Sequence, residues 1–369
     1  MSTPTHDIRS RVFHQFFPPP RFLEMPAIGL DISDSAVTAL ELVRRKGSFA
    51  VGRYGRRALP QGSILGGYVH DQAAVVAELC KLRDELALDF VNASLSEEKA
   101  YLFKANIPRV KRKEMREVIE FKLEENVPIP ASDAIFDYTL ISEAGHEAPD
   151  HLDVGVTVLP KKVVETYAEL LAAADLMPLS FETEAQAIAR ALVARGDRGT
   201  YLIVNFGESK TGLFIVSEEV VHFTSTVAIG GAHITEAIGK SLSISKEEAK
   251  SLKTNHEAFK DRKGTELFPS LLNTLSVLKD EVSKLSIYWR THKDPAGELG
   301  KKIQRILLCG RDSSLVGFAD YLSLALQTPA HVGNVWCNAF SFEEYIPPLS
   351  RDESLDYAAA IGLAMSKGH

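Results

Sequence analysis

The stretch Ile28 to Leu42, IGLDISDSAVTALEL, decides the fold. Small and apolar residues alternate into Asp31, a polar turn follows at Ser33, Asp34 and Ser35, and Val37, Ala39, Leu40 and Leu42 lead back. That pattern predicts a buried strand ending in a carboxylate, a tight turn, and a second strand returning antiparallel. A carboxylate at such a strand end, beside exposed turn amides, can hold a hydrated Mg²⁺ next to phosphate oxygens, although any hairpin has the same pattern. A second copy occurs at Tyr201 to Ser217, YLIVNFGESKTGLFIVS, again a strand, a polar turn and a return. Two such hairpins, each followed by more strand and then helix, predict a duplicated α/β core with a cleft between the halves. Clefts of that kind bind nucleotides.

At 369 residues the chain is too long for one ordinary core, so two domains or lobes are expected. Apolar residues make up 45%, charged residues 25%, and the formal net charge is −7, which argues against broad, sequence-independent binding of nucleic acid. Cys80, Cys309 and Cys337 are far apart in apolar surroundings and read as buried thiols of a reducing compartment, with no metal-site spacing. There is neither an apolar run of about 18 residues nor a signal peptide, because the N-terminus is charged and then broken at Pro18, Pro19 and Pro20. A cytoplasmic protein is expected.

Taken in order, residues 7–17 place Ile8, Val12, Phe13, Phe16 and Phe17 on one helical face, either a surface or partner anchor or a segment packed on the body. A third strand is expected at Phe49 to Tyr54, then a helix capped by Asp71 with Val75, Leu79, Leu82 and Leu86 inward. Strand Ala100 to Ala105, the charged helix Lys111 to Asn126 and strands Ala134 to Ile141 and Leu152 to Val158 around the polar loop GHEAPDH read as a small α+β insertion, Ser94 to Val158. Helices follow at Lys161 to Leu176 and Glu182 to Val193. After strand Val220 to Val227, Gly230 and Gly231 stand immediately before a helix, where backbone amides can approach an anion or merely make a tight turn. A long helix is expected at Phe268 to Arg290, separated from SKEEAKSLK by the charged connection HEAFKDRKGTE. Arg305 to Leu326 reads as a strand, a turn at Gly310 and a helix started by Asp312 or Ser313, and Tyr357 to Met365 as a terminal helix.

Two phosphate-style hairpins, a paired-glycine turn and a late strand-glycine-helix resemble the actin-like ATPase superfamily. Within it the sequence resembles the PilM family of type IV pilus assembly over residues 27–366. The stretches carrying this are IGLDISDSAVTALEL, NIPRVKRKEMREVIEFKLEENVPIPASDAIFDYTLI, GGAHITEAI with EEAKSLK, and YAAAIGLAM. The resemblance implies a duplicated actin-like (ribonuclease H-like) two-lobed α/β fold with an inserted small α+β subdomain. The expected division is residues 1–26 as an extension, 27–93 as the first lobe, 94–158 as the insertion, 159–194 closing that lobe, 195–350 as the second lobe and 351–369 as the C-terminal helix. It also implies ATP and Mg²⁺ in the cleft. Asp31 would be the metal-side carboxylate, Gly207 and Thr211 would line the second turn, Gly230 and Gly231 would meet phosphates, and Lys253 and Gly310 would border the nucleoside. Glu182 would open the first connecting helix.

Four residues depart from that pattern: Ser33 where a glycine is usual, Asn205 for an aspartate, Lys250 for a glutamate, and Arg311 for the second glycine of the nucleoside turn. A side chain, a weaker metal ligand and two cations in one pocket point to hydrolysis lost and nucleotide binding weakened or lost. The resemblance implies a cytoplasmic scaffold that docks the N-terminal peptide of a PilN-like inner-membrane protein, reaches a PilO-like protein indirectly, and meets the membrane surface through partners, with homo-oligomerisation open. One alternative is an FtsA-like filament protein, which would need an amphipathic anchor where Ser366, Lys367, Gly368 and His369 stand. The other is a working ATPase or small-molecule kinase, which needs a general base beside the γ-phosphate. The sequence has no G-x-S-x-G or H-E-x-x-H hydrolase motif.

Overall fold

A computed structural model of the chain describes residues 28–45, 47–141, 151–254, 262–293, 297 and 299–366. Residues 7–17, 145–150 of the polar loop and 256–261 of the charged connection lie outside them.

The opening hairpin forms as its alternation dictates. Ile28–Ile32 is buried throughout and pairs antiparallel with Ala36–Arg45, Asp31 standing opposite Thr38. Ser33 closes the turn, its amide and its hydroxyl both donating to the Ala36 carbonyl at 3.0 Å. Ser48–Ala58 extends this meander on one side, while Phe90–Leu95 and then Met177–Thr183 add in parallel on the other. The second hairpin, Thr200–Phe206 with Thr211–Ser217, repeats the plan. Val220–Val227 extends its meander, and Arg305–Cys309 and Ala330–Val332 add in parallel. Each half is thus a three-strand meander followed by two parallel strands. Sequence pattern exposes both meanders but not Phe90–Leu95 or Met177–Thr183. Both are short, and their apolar–polar alternation, Val91 to Leu95 and Leu179 to Glu182, spans only four or five residues and abuts a helix signal, so neither stands out as a strand.

Tyr101–Pro108, His151–Pro160 and Ala134–Leu140 form a separate antiparallel sheet with His151–Pro160 in the middle. Helix Arg112–Asn126 covers it, Met115, Ile119 and Leu123 packing on Ile107, Val154, Val156 and Val158. Two differences from pattern reading arise in the second half. The backbone of the long helix runs from Arg262 to Thr291, because the charged residues before Phe268 are helical without apolar periodicity. The helix after Cys309 begins at Phe318 with Gly317 as its N-cap, not at Asp312 or Ser313. Those two side chains are engaged elsewhere: Asp312 pairs with Lys253 and the Ser313 hydroxyl donates to the Gly310 carbonyl at 2.7 Å.

The core is layered. One cluster fills the outer face of the first sheet beneath helices Gln72–Leu86 and Lys161–Ala173, and another fills the outer face of the second sheet beneath Gly231–Leu242, Lys246–Thr254, Arg262–Thr291 and Phe318–Leu326. Between the sheets lie two short helices of small residues, Glu184–Leu192 and Ala358–Ala364, with Leu40, Ile203, Phe214 and Trp336 around them. Backbone meets backbone there. A Cβ at Gly362 would fall 1.8 Å from the Ala187 carbonyl oxygen, and one at Gly29 would fall 1.9 Å from that of Ala360. Neither contact involves a flexible side chain that could swing away. Gly362→Ala is therefore expected to lower stability by about 1–3 kcal/mol through overpacking, read as a lower urea midpoint at unchanged slope.

Candidate functional site

Both hairpin turns open onto one cleft between the sheets. Asp31, Ser33 and Asp34 line it from the first turn, and Asn205, Gly207, Glu208 and Lys210 from the second. Gly310 and Arg311 come from the turn after Arg305–Cys309, and Glu97, Glu184, Arg56 and Asp356 complete the walls. The space that the centre of a water can reach is about 50 Å³.

Its electrostatics are dominated by buried carboxylates. Burial, reinforced by Glu184, pushes Asp31 up to about 8, although the Ser94 hydroxyl donates to it at 2.7 Å. Burial also raises Glu97 and Glu184, and the neighbouring Glu97 carboxylate adds to the rise at Glu184. Asn205 donates its amide to Glu184 at 2.7 Å, so the neutral side chain avoids adding a further carboxylate to this group. Lys210 reaches in from the second turn, its Nζ 2.9 Å from Glu98. Burial alone would lower it, but Asp34, Glu97, Glu184 and Glu98 together raise it and keep it an ammonium. Ser209 donates to Asp34, joining the two turns directly. At the far wall, Arg56 lies 2.9 Å and Arg311 3.6 Å from Asp356.

The other residues singled out by sequence sit behind this lining. Thr211 is buried and donates to the Ile229 carbonyl at 2.6 Å. Gly230 and Gly231 pack on the second turn, the Gly231 amide donating to Gly207 and the Ala232 amide to Glu208, so these amides serve the turn itself. Lys253 is buried against Asp312 at 2.7 Å and donates to the Gly231 carbonyl at 3.0 Å. Lys250 stands 3.7 Å from Glu208. Glu182 does not open the connecting helix. It ends the strand Met177–Thr183, and its carboxylate holds Arg190 and Ser366. The helix starts at Glu184 because Thr183 and Gln186 form its capping box, a T-x-x-Q signal readable in the sequence. Glu184 is accordingly the cleft residue. Glu97 follows a strand that pattern reading passes over, and nothing in the local sequence marks Lys210 as buried.

A magnesium triphosphate does not fit this arrangement. Six carboxylates and three cations line the cleft, and the cations already face carboxylates rather than open space for an anion. Among the described residues no group of three or more His, Cys, Asp or Glu is placed to hold a metal.

Asp31 binds its proton more tightly folded, at about 8 against an ordinary 3.8, so its contribution to stability is complete below about 4 and is lost as pH rises through 8. Asp31→Asn keeps an acceptor for Ser94 and does not titrate. Its melting temperature relative to wild type is expected to climb from pH 5 to 8 and level off above, in thermal scans across that range. Parallel profiles would contradict this.

Several known proteins share this architecture. A chain from the PilM–PilN type IV pilus biogenesis complex aligns over 92% of this chain and 98% of its own, at 22% identity and TM-score 0.73. The ethanolamine utilization protein EutJ from Carboxydothermus hydrogenoformans aligns over 94% and 90%, at 15% identity and TM-score 0.56. An archaeal actin homologue aligns over 92% and 98%, at 11% identity and TM-score 0.45. The family described as type IV pilus assembly protein PilM matches residues 29–368, nearly the whole chain, and this chain belongs to it.

Proposed function

We propose that the chain is an assembly scaffold of the type IV pilus that docks the N-terminal peptide of a PilN-like inner-membrane protein and needs neither ATP nor Mg²⁺ to do so. The observation that carries the reading is membership of the PilM family across residues 29–368, with the fold of a chain solved as part of a PilM–PilN complex. Among the described residues no helix is long and apolar enough to cross a membrane, so the scaffold reaches the cytoplasmic side of the inner membrane through its partner, and a PilO-like protein through that partner in turn. Oligomerisation of the scaffold is not required by this role.

The cleft supports the nucleotide-independent part. A working ATPase or kinase needs an ionised carboxylate poised as base or metal-water ligand. Here Asn205 donates to Glu184 at 2.7 Å, Lys210 lies 2.9 Å from Glu98, and Arg311 faces Asp356 at 3.6 Å. A cleft whose cations are already paired within the chain suits a body whose task is to present a fixed surface to a peptide.

Isothermal titration separates the readings. The N-terminal peptide of the cognate PilN-like protein is expected to bind with about −8 kcal/mol, equally with and without Mg²⁺-ATP, and Mg²⁺-ATP alone is expected to give no binding heat. Peptide binding that appears only with Mg²⁺-ATP, or ATP turnover abolished by Asp31→Ala, would overturn the scaffold reading.

A further inference from the structure

We propose that the outer face of helix Arg112–Asn126 pairs antiparallel with the same face of a second copy of this chain. The inner face is occupied, Met115, Ile119 and Leu123 packing on the inserted sheet. On the outer side Lys113, Arg116, Glu117, Glu120, Phe121 and Glu124 are all exposed, Phe121 to 79%. Among the described residues none of the five charged side chains in this set takes part in an ion pair, whereas the neighbouring Lys122 and Glu125 pair with each other at 2.9 Å. Arg116 makes one contact of another kind, its guanidinium carbon lying 4.6 Å from the centre of the Phe136 ring.

The order of these charges is the reverse of what a lone helix favours. Acids are stabilising in the first turn of a helix and cations in the last, because the backbone dipole is positive at the start and negative at the end. Here Lys111 stands at the N-cap and Lys113 follows it, Glu124 and Glu125 stand near the end, and the last turn holds no basic residue. Glu114 is the one acid of the first turn, and its carboxylate accepts from the Lys111 amide at 3.4 Å. Lys113 precedes Glu117 and Arg116 precedes Glu120, the order at four-residue spacing that supports a helix less well. An antiparallel second copy converts each of these costs into attraction. The two dipoles then oppose, and the basic beginning of each helix lies along the acidic end of the other. With a two-fold axis between Arg116 and Glu117, Lys113 of one copy stands level with Glu120 of the other, and Arg116 with Glu117, each pair occurring twice as an isologous contact requires. Two helices of 15 residues meet along only about 22 Å, less than a permanent interface needs, so the dimer is weak and held largely by charge.

Sedimentation velocity of the full-length chain at tens of micromolar is expected to show a monomer–dimer equilibrium in about 50 mM salt, at least about tenfold weaker in about 0.5 M salt. Lys113→Glu alone or Glu120→Lys alone should leave monomer. An equimolar mixture of the two variants should restore the dimer, and so should both substitutions in one chain. Lys113→Glu places an acid in the first turn, so its melting temperature should match or exceed that of wild type, which separates a lost contact from a lost fold. A wild-type chain that stays monomeric in 50 mM salt overturns the pairing, even one that then sediments with vesicles of acidic phospholipid. So does a dimer that salt leaves unchanged or that either single variant retains, and so does a mixture of the two variants that stays monomeric.

Discussion

The structure depends on how closely two sheets can approach across two helices made of small residues. Ala185, Ala189 and Ala191 share one core cluster with Ala358, Ala359, Ala360 and Ala364, and Gly362 and Gly29 remove the Cβ atoms that would hold the backbones apart. Strand Ile28–Ile32 rests on the C-terminal helix, and that helix rests on Glu184–Leu192. The last carbonyls of a helix have few intrahelical donors, and here side chains supply further ones beside the Ser366 amide, which donates to Leu363 at 3.0 Å. Arg190 donates to Gly362 at 2.8 Å and Asn92 to Leu363 at 3.1 Å, fixing the helix to both its neighbours. Bulkier residues would separate the sheets and with them the two turns that form the cleft.

That approach has an electrostatic consequence. It brings strand-end carboxylates from several elements into a region of low effective dielectric, where the charged forms are penalised. The molecule meets the penalty in three ways. Burial raises the proton affinity of Asp31, Glu97 and Glu184, Asp34 and Glu98 receive Ser209 and Lys210 from the opposite half, and Asp356 takes Arg56. Each device uses groups of this chain alone.

Much of the fold is legible in the sequence, because the two hairpins and most of the amphipathic helices announce themselves by period. The parallel strands Phe90–Leu95 and Met177–Thr183 are harder to see, since each offers only four or five alternating residues beside a stronger helix signal. The site is readable in part. Asp31, Ser33, Asn205, Gly207, Gly310 and Arg311 do converge on one cleft, because each belongs to a turn at the end of a recognisable strand. Glu97 and Glu184 are harder to find, the first because its strand is hidden and the second because the helix start lies two residues beyond Glu182. Lys210 is the hardest. A lysine in a polar turn reads as solvated, and only the facing carboxylates of the other half bury it.

The residues that depart from the superfamily pattern make sense as a group once those carboxylates are counted. An aspartate at position 205 would add a negative charge beside Glu184, whereas Asn205 donates a hydrogen bond to it. A glycine at position 311 would remove a cation from Asp356, whose burial already raises its proton affinity. A glutamate at position 250 would repel Glu208, toward which Lys250 is attracted at 3.7 Å. Ser33 contributes a turn hydrogen bond and no charge. Three of the four changes therefore move the cleft toward neutrality, and the fourth stiffens the turn that carries Asp34. A site that takes an ion and a polyphosphate needs groups free to meet them, and here Lys210, Arg56 and Arg311 already face carboxylates of this chain.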